Sequence, residues 1–326
     1  MSFQQTSSEV AAERIIEIDS KEMTAFEYHI AQCCKSREWD LRKWLQKVLT
    51  RAGFVITEDK YRTDRCDKDD RYENVHNMLA IRGENPRICL VAHTDVCRDH
   101  DELRGFGGGM STHSEYWHEL YGKNAKDVND LVELNKKRHE PKKVDPVIKI
   151  VMEDGAERRI IQDRNCDVQV GGDDRLGVAI NTWIALNTQY PMACLFCSDE
   201  EVGLKSARAI QMDRLKEFDL LLETDRGNNS DQIVFKIGDE ILVGYETAVR
   251  LLSIAYNMND PRTPVNGAGT DVAAIKGSGK CKEAINLTVG YHNSVGASPN
   301  EYIDVAESRR AMKFVSNVIK DYYLNP

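Results

Sequence analysis

The chain is short of positive charge, of proline and of uninterrupted apolar runs. It carries 44 Lys plus Arg against 53 Asp plus Glu over 326 residues, a formal charge of −9. That balance lacks the basic footprint with which proteins grip a phosphate backbone, so nucleic acid is excluded as the expected partner. With 8 Pro and 21 Gly, collagen-like and largely disordered chains are excluded as well. The longest uncharged stretch, Leu176 to Ser198, has the length of a membrane span. Asn187-Thr188-Gln189-Tyr190-Pro191 splits it into a helix-like and a strand-like half, so no membrane partner is expected. The amino terminus lacks a basic segment followed by an apolar one, hence no signal peptide. The 9 Cys, odd in number and irregularly spaced, suit a reducing compartment better than a disulfide framework. An acidic, globular, cytoplasmic protein is the expectation.

What is present is ordinary globular composition, 41% hydrophobic and 30% charged, without internal repeats. Leu41 to Phe54 places Leu41, Trp44, Leu45, Val48 and Leu49 on one helical face, and Gly53 follows as a stop. Short apolar runs at Arg87–Val96, Ala193–Cys197 and Phe218–Leu222 read as buried strands. Between them lie helix-like segments at Leu176–Leu186 and Lys205–Leu215. A hairpin turning at Gly238-Asp239, a helix from Glu246 to Met258, a strand over 283–290 and a closing helix capped by Asp304 complete the pattern. This rhythm predicts an α/β fold with a mixed, largely parallel sheet flanked by helices. Residues 1–96 begin the domain and 148–326 complete it. Residues 97–147, with a glycine cluster at 105–109 and a charge run at 135–143, read as an insertion or lid.

The strand ends carry the chemistry. The first apolar run leads into His93-Thr94-Asp95, the second into Ser198-Asp199-Glu200-Glu201, and the third into Glu223-Thr224-Asp225. The late strand leads into Tyr291-His292, and Gly171-Gly172-Asp173-Asp174-Arg175 precedes a helix. In an open α/β sheet the carboxyl ends of the strands form the ligand crevice. Imidazole nitrogen and carboxylate oxygen together suit a divalent cation, whereas the same carboxylates without one would repel. Five ligands are too many for a single catalytic zinc with an open position. They suit two ions about 3.5–4 Å apart sharing a carboxylate. Cys194-x-x-Cys197 has no second pair at zinc-ribbon spacing, and on a strand its thiols face opposite sides. The glycine cluster and Gly277-Ser278-Gly279-Lys280 lack the full phosphate-loop pattern; His113 and His118 in the insertion take no assigned role.

The order HTD, GGDDRLG, SDEEVG, D-x-G and a late His resembles the dinuclear zinc exopeptidases, the family of peptidase T, acetylornithine deacetylase and the tetrahedral aminopeptidases. The resemblance spans about residues 75 to 310. It implies a hydrolase, a zinc metallopeptidase acting as an aminopeptidase or di-/tripeptidase on small peptides; the alternatives are a deacylase of N-acyl amino acids and a non-catalytic metal-binding protein of the same fold. It further implies two divalent ions, zinc first, with cobalt or manganese compatible. His93 and Asp225 would hold one ion, Glu201 and His292 the other, with Asp173 between them. Glu200 would be the general base and Asp95 would orient His93. Asp173 is preferred to Asp174 because the family pattern has an Asp two residues before a basic one, here Arg175. The dimerisation domain of peptidase T has no counterpart between Asp225 and His292, so the resemblance sets no oligomeric state. The extra length lies instead between His93 and Asp173, as in the tetrahedral aminopeptidases, which Gly269-Thr270-Asp271 also resembles. Glu301 would match a structural Glu of the family.

Overall fold

Runs in which every residue is apolar become strands buried on both faces. In the computed structural model, which describes residues 16–18, 23–61, 75–96, 143–153, 155–201, 203–294 and 298–326, β4 (Ile88–His93) and β7 (Met192–Cys197) are buried throughout. Ile88, Leu90 and Ala92 enter one core, while Cys89 and Val91 enter the core on the opposite face. Cys194 and Cys197 divide between the same two cores, and both are free thiols.

Around these strands lie β2 (Val55–Tyr61), β3 (Val75–Arg82), β8 (Leu220–Arg226), β9 (Gln232–Ile237), β10 (Glu240–Ile241), β11 (Thr263–Gly267) and β12 (Ala284–Thr288). They form a nine-stranded sheet in the order β10-β9-β12-β8-β4-β7-β3-β2, with β11 beside β9. The centre, β12-β8-β4-β7, is parallel; β2, β3, β10 and the β9–β12 pair are antiparallel. This is the mixed, largely parallel sheet expected. Helices α1 (Ala25–Lys35), α2 (Glu38–Arg51), α3 (Gly172–Asn187) and α7 (Val305–Leu324) contribute to the core on one face. Residues of α4 (Lys205–Ala209) and α6 (Asp271–Gly277) pack in the core on the other. Helix α5 (Tyr245–Asn257) packs on α7. No helix among the described residues is long and apolar enough to cross a membrane.

A second, antiparallel sheet joins β1 (Ile16–Ile18), β5 (Pro146–Glu153), β6 (Ala156–Asp163), β14 (Tyr302–Asp304) and β13 (Tyr291–His292) in the order β1-β5-β6-β14-β13. Residues 97–142 of the expected lid, including its glycine cluster, His113 and His118, lie outside the described residues; Pro146 and Val147 already belong to β5. Between Asp225 and β13, the strands β9–β12 and the helices α5 and α6 all belong to the large sheet and its flanks. The helix expected over Lys205–Leu215 stops at Ala209 and a 3-10 turn covers Asp213–Glu217. At the interruption the Gln211 N–H donates to the Asp59 carboxylate of β2 (2.6 Å) rather than to a carbonyl one turn back.

Glu27 ties the second sheet to the helices. It closes a capping box with Thr24 and accepts two hydrogen bonds from Arg159 of β6 (2.9 and 3.0 Å) while 1% exposed. Burial alone would raise its carboxyl, but the hydrogen bonds from Arg159 and Thr24, with the Arg159 charge, hold it below the usual range. A depressed folded-state pKa stabilises above the unfolded value of about 4.3 and is lost as pH falls through the folded value. Glu27→Gln should therefore cost about 1–3 kcal/mol at pH 7 in urea unfolding, and the gap should narrow below about pH 4.

Candidate metal centre

Because β4, β7 and β8 are parallel neighbours, their carboxyl ends emerge side by side, and His93 pairs with Cys197 across β4 and β7. The His93 side chain is fully buried. Its Nδ1 donates to the Asp95 main-chain carbonyl (3.0 Å), which leaves Nε2 free to accept a cation. Nε2 lies 3.2 Å from Asp173 Oδ1, 3.5 Å from Asp225 Oδ1 and 4.0 Å from Glu200 Oε2. One ligand atom from each of His93, Asp173 and Asp225 falls within 4.8 Å of the others.

The two aspartates that open α3 diverge. A cis peptide joins them, and neither has helical backbone angles. Asp173 turns toward His93 with its side chain 25% exposed. Asp174 is fully buried: it accepts the His93 N–H (3.2 Å) and the Gly177 N–H (2.9 Å), thereby capping the helix. The flanking glycines are required by close approach. A Cβ at Gly177 would collide with the Asp174 carboxylate and the Thr224 carbonyl, and one at Gly172 would sit 2.6 Å from the Tyr291 Cβ. Asp95 is fully buried, with Oδ1 3.4 Å from His93 Nδ1, and accepts the N–H groups of Glu200 and Glu201 (3.2 Å each). Together with Asp199 in the left-handed region (φ 56), it shapes the loop that presents Glu200.

Electrostatics identify what the cluster lacks on its own. Burial pushes the Asp225 carboxyl up to about 6; His93 opposes the rise and the Asp173 charge adds to it. Burial likewise raises Glu200 and Asp174 well above the usual carboxylate range. On His93, burial would lower the imidazole, but the Asp225 charge and hydrogen bonds donated to the surrounding carboxylates carry it well above its ordinary value. One imidazole facing three carboxylates fits a divalent cation, whose charge would reverse these shifts. Asp173, Glu200, Asp225, Arg226, Thr270 and Tyr291 line a cavity of about 180 Å³. A larger groove, about 620 Å³, on α5 and the segment before β11 includes none of the cluster residues and has little bearing on the chemistry.

The other two expected ligands stand differently. Glu201 is half-buried beside Glu200, outside the three-residue cluster. His292 lies outside the three-residue cluster: its ring stacks on Tyr302 (centroids 4.8 Å, 15°), and its buried Nε2 makes no hydrogen bond among the described residues. In β13 Tyr291 turns inward, its hydroxyl donating to Asp225 Oδ1 (3.3 Å).

Supporting residues, most of them given no role by the sequence, hold the cluster. Asn286 accepts the Asp225 N–H (3.0 Å) and donates to the Asp225 carbonyl (2.8 Å). Thr94 donates to Glu38 (2.9 Å) and accepts from the buried Arg42 (3.2 Å), pinning the turn after His93 to α2. Glu223 accepts the N–H groups of Asp271 and Val272 at the start of α6. Glu301, expected to be structural, is fully buried and accepts from the N–H groups of Gly171 (2.5 Å) and Asp173 (3.3 Å). Periodicity carries no trace of such partners, since each depends on a contact distant in sequence. Glu301→Ala should weaken divalent-metal affinity by about 10–100-fold in a chelator-competition titration, because Asp173 loses its anchor.

No protein-family model and no curated protein sequence matches the chain. Solved structures do. The aminopeptidase PepT from Bacillus cereus superposes with a TM-score of 0.61 at 12% identity, covering 91% of this chain and 98% of that one. A tripeptidase from Staphylococcus aureus gives 0.59 at 11%, covering 90% and 97%. The TET1 peptidase of Pyrococcus horikoshii gives 0.54 at 15%, covering 90% and 99%. The chain is thus built on the fold that these aminopeptidase and tripeptidase structures share.

Proposed function

We propose that the chain is a metal-dependent exopeptidase, an aminopeptidase or di-/tripeptidase acting on small peptides. The observation that carries this reading is the convergence of His93, Asp173 and Asp225 at the strand ends, with Glu200 4.0 Å from the same imidazole nitrogen. His93, Asp173 and Asp225 would hold a divalent cation, zinc first, with cobalt or manganese compatible with the same donors. When bound, the ion would polarise the scissile carbonyl and lower the pKa of water.

The protein's own residues do the rest. Glu200, raised by burial toward the range where a carboxylate is an effective base, takes a proton from the attacking water and returns it to the leaving amine. Asp95 acts as a positioning residue twice over, through His93 and through the loop bearing Glu200. Tyr291 and Asn286 hold Asp225 in place. For a second ion, Glu201 and His292 are the candidate ligands, with Asp173 shared between the two.

Hydrolysis of free-amino di- and tripeptides by zinc-loaded protein, set beside their N-acetylated forms and simple N-acyl amino acids, tests the reading. Cleavage confined to free-amino peptides is expected. Cleavage of acylated substrates alone would make the protein a deacylase, and metal binding without cleavage of any would leave a non-catalytic metal protein.

A further inference from the structure

Arg226 follows Asp225 directly at the end of β8, and its side chain lines the same cavity as Asp173, Glu200 and Asp225. A guanidinium beside three carboxylates would ordinarily pair with one of them, yet all three face His93 at 3.2, 4.0 and 3.5 Å. Among the described residues Arg226 forms no ion pair, and its buried Nε makes no hydrogen bond. Its Nη1 lies 3.4 Å from where a Cβ at Gly267 would stand, so the absent side chain there leaves the guanidinium its place in the cavity wall. A buried, unpartnered donor costs free energy that a ligand can recover.

We propose, on the basis of the exopeptidase reading, that Arg226 is the specificity-determining residue that receives a carboxylate of the substrate. The planar fork of guanidinium donors matches a carboxylate in two parallel hydrogen bonds. Arg226 adjoins the candidate ligand Asp225 in sequence and shares its cavity, so a carboxylate held there lies next to the scissile amide. The preferred substrate class is dipeptides with a free carboxyl terminus; a peptide whose acidic side chain occupies the same position offers the same chemistry.

Calorimetric titration of zinc-loaded Glu200→Gln protein, with turnover suppressed, tests this using Leu-Ala, Leu-Ala-amide and Leu-Asp-amide. Leu-Ala is expected to bind on the order of 10- to 100-fold tighter than its amide, and the added substitution Arg226→Gln should bring the two within about twofold. Tight binding of Leu-Asp-amide in place of Leu-Ala would assign the carboxylate to a side chain. Equal affinity for Leu-Ala and both amides in the protein that keeps Arg226 overturns the proposal with no need of the second variant. So does a preference that survives Arg226→Gln. Those results leave the exopeptidase reading standing, whereas failure of every peptide to bind removes that reading and this proposal together.

Discussion

Asp173→Ala will leave the protein folded and unable to retain its divalent cation. The side chain is one of three groups whose ligand atoms lie within 4.8 Å of one another, and it is the most exposed of them. Its loss should exceed the 10–100-fold weakening that follows removal of a supporting residue. His93→Ala should behave alike. His292→Ala, by contrast, should keep the metal held at the cluster, because its ring packs on Tyr302. Thermal unfolding gives an independent readout. A ligand at a thousand times its dissociation constant stabilises the folded state by about 4 kcal/mol. Zinc should therefore raise the midpoint of the unsubstituted protein and of His292→Ala, and leave Asp173→Ala nearly unmoved. Metal analysis after gel filtration checks the same ranking.

Glu200→Gln should retain the metal and lose turnover by about 10²–10⁴-fold, the usual contribution of a positioned general base. Its carboxylate stands 4.0 Å from His93 Nε2, outside the three-residue cluster, and its main chain is tethered to Asp95. The substitution preserves shape and removes the basic oxygen. Unchanged metal content with lost activity separates this role from a ligand's. A rate that survived would transfer the proton-accepting role to another group.

Much of this was legible because a strand announces its own end. The apolar run through β4 stops where His93 begins a polar turn, and β8 runs into Asp225 in the same way, so topology alone sets both side chains at one sheet edge. Asp173 and Asp174 were distinguished by a family pattern, and their geometry has a separate cause, the capping bonds that draw Asp174 inward. The part played by Tyr291 was not legible, because proximity along the chain says nothing of which side chain reaches Asp225. Glu301 and Asn286 reach the centre from far along the chain, and at the break after Ala209 the main chain bonds to Asp59 in another element. The second sheet was hidden for a related reason: it assembles strands from three separated parts of the chain, and its last two, β13 and β14, span two and three residues.

The most direct test is the rate at which zinc-loaded protein releases an amino acid from an unblocked dipeptide, measured before and after chelation and again after zinc is restored. The account predicts hydrolysis that the chelator abolishes and zinc returns, with Asp173→Ala inactive throughout. Hydrolysis indifferent to the chelator, or none with metal bound, would contradict it.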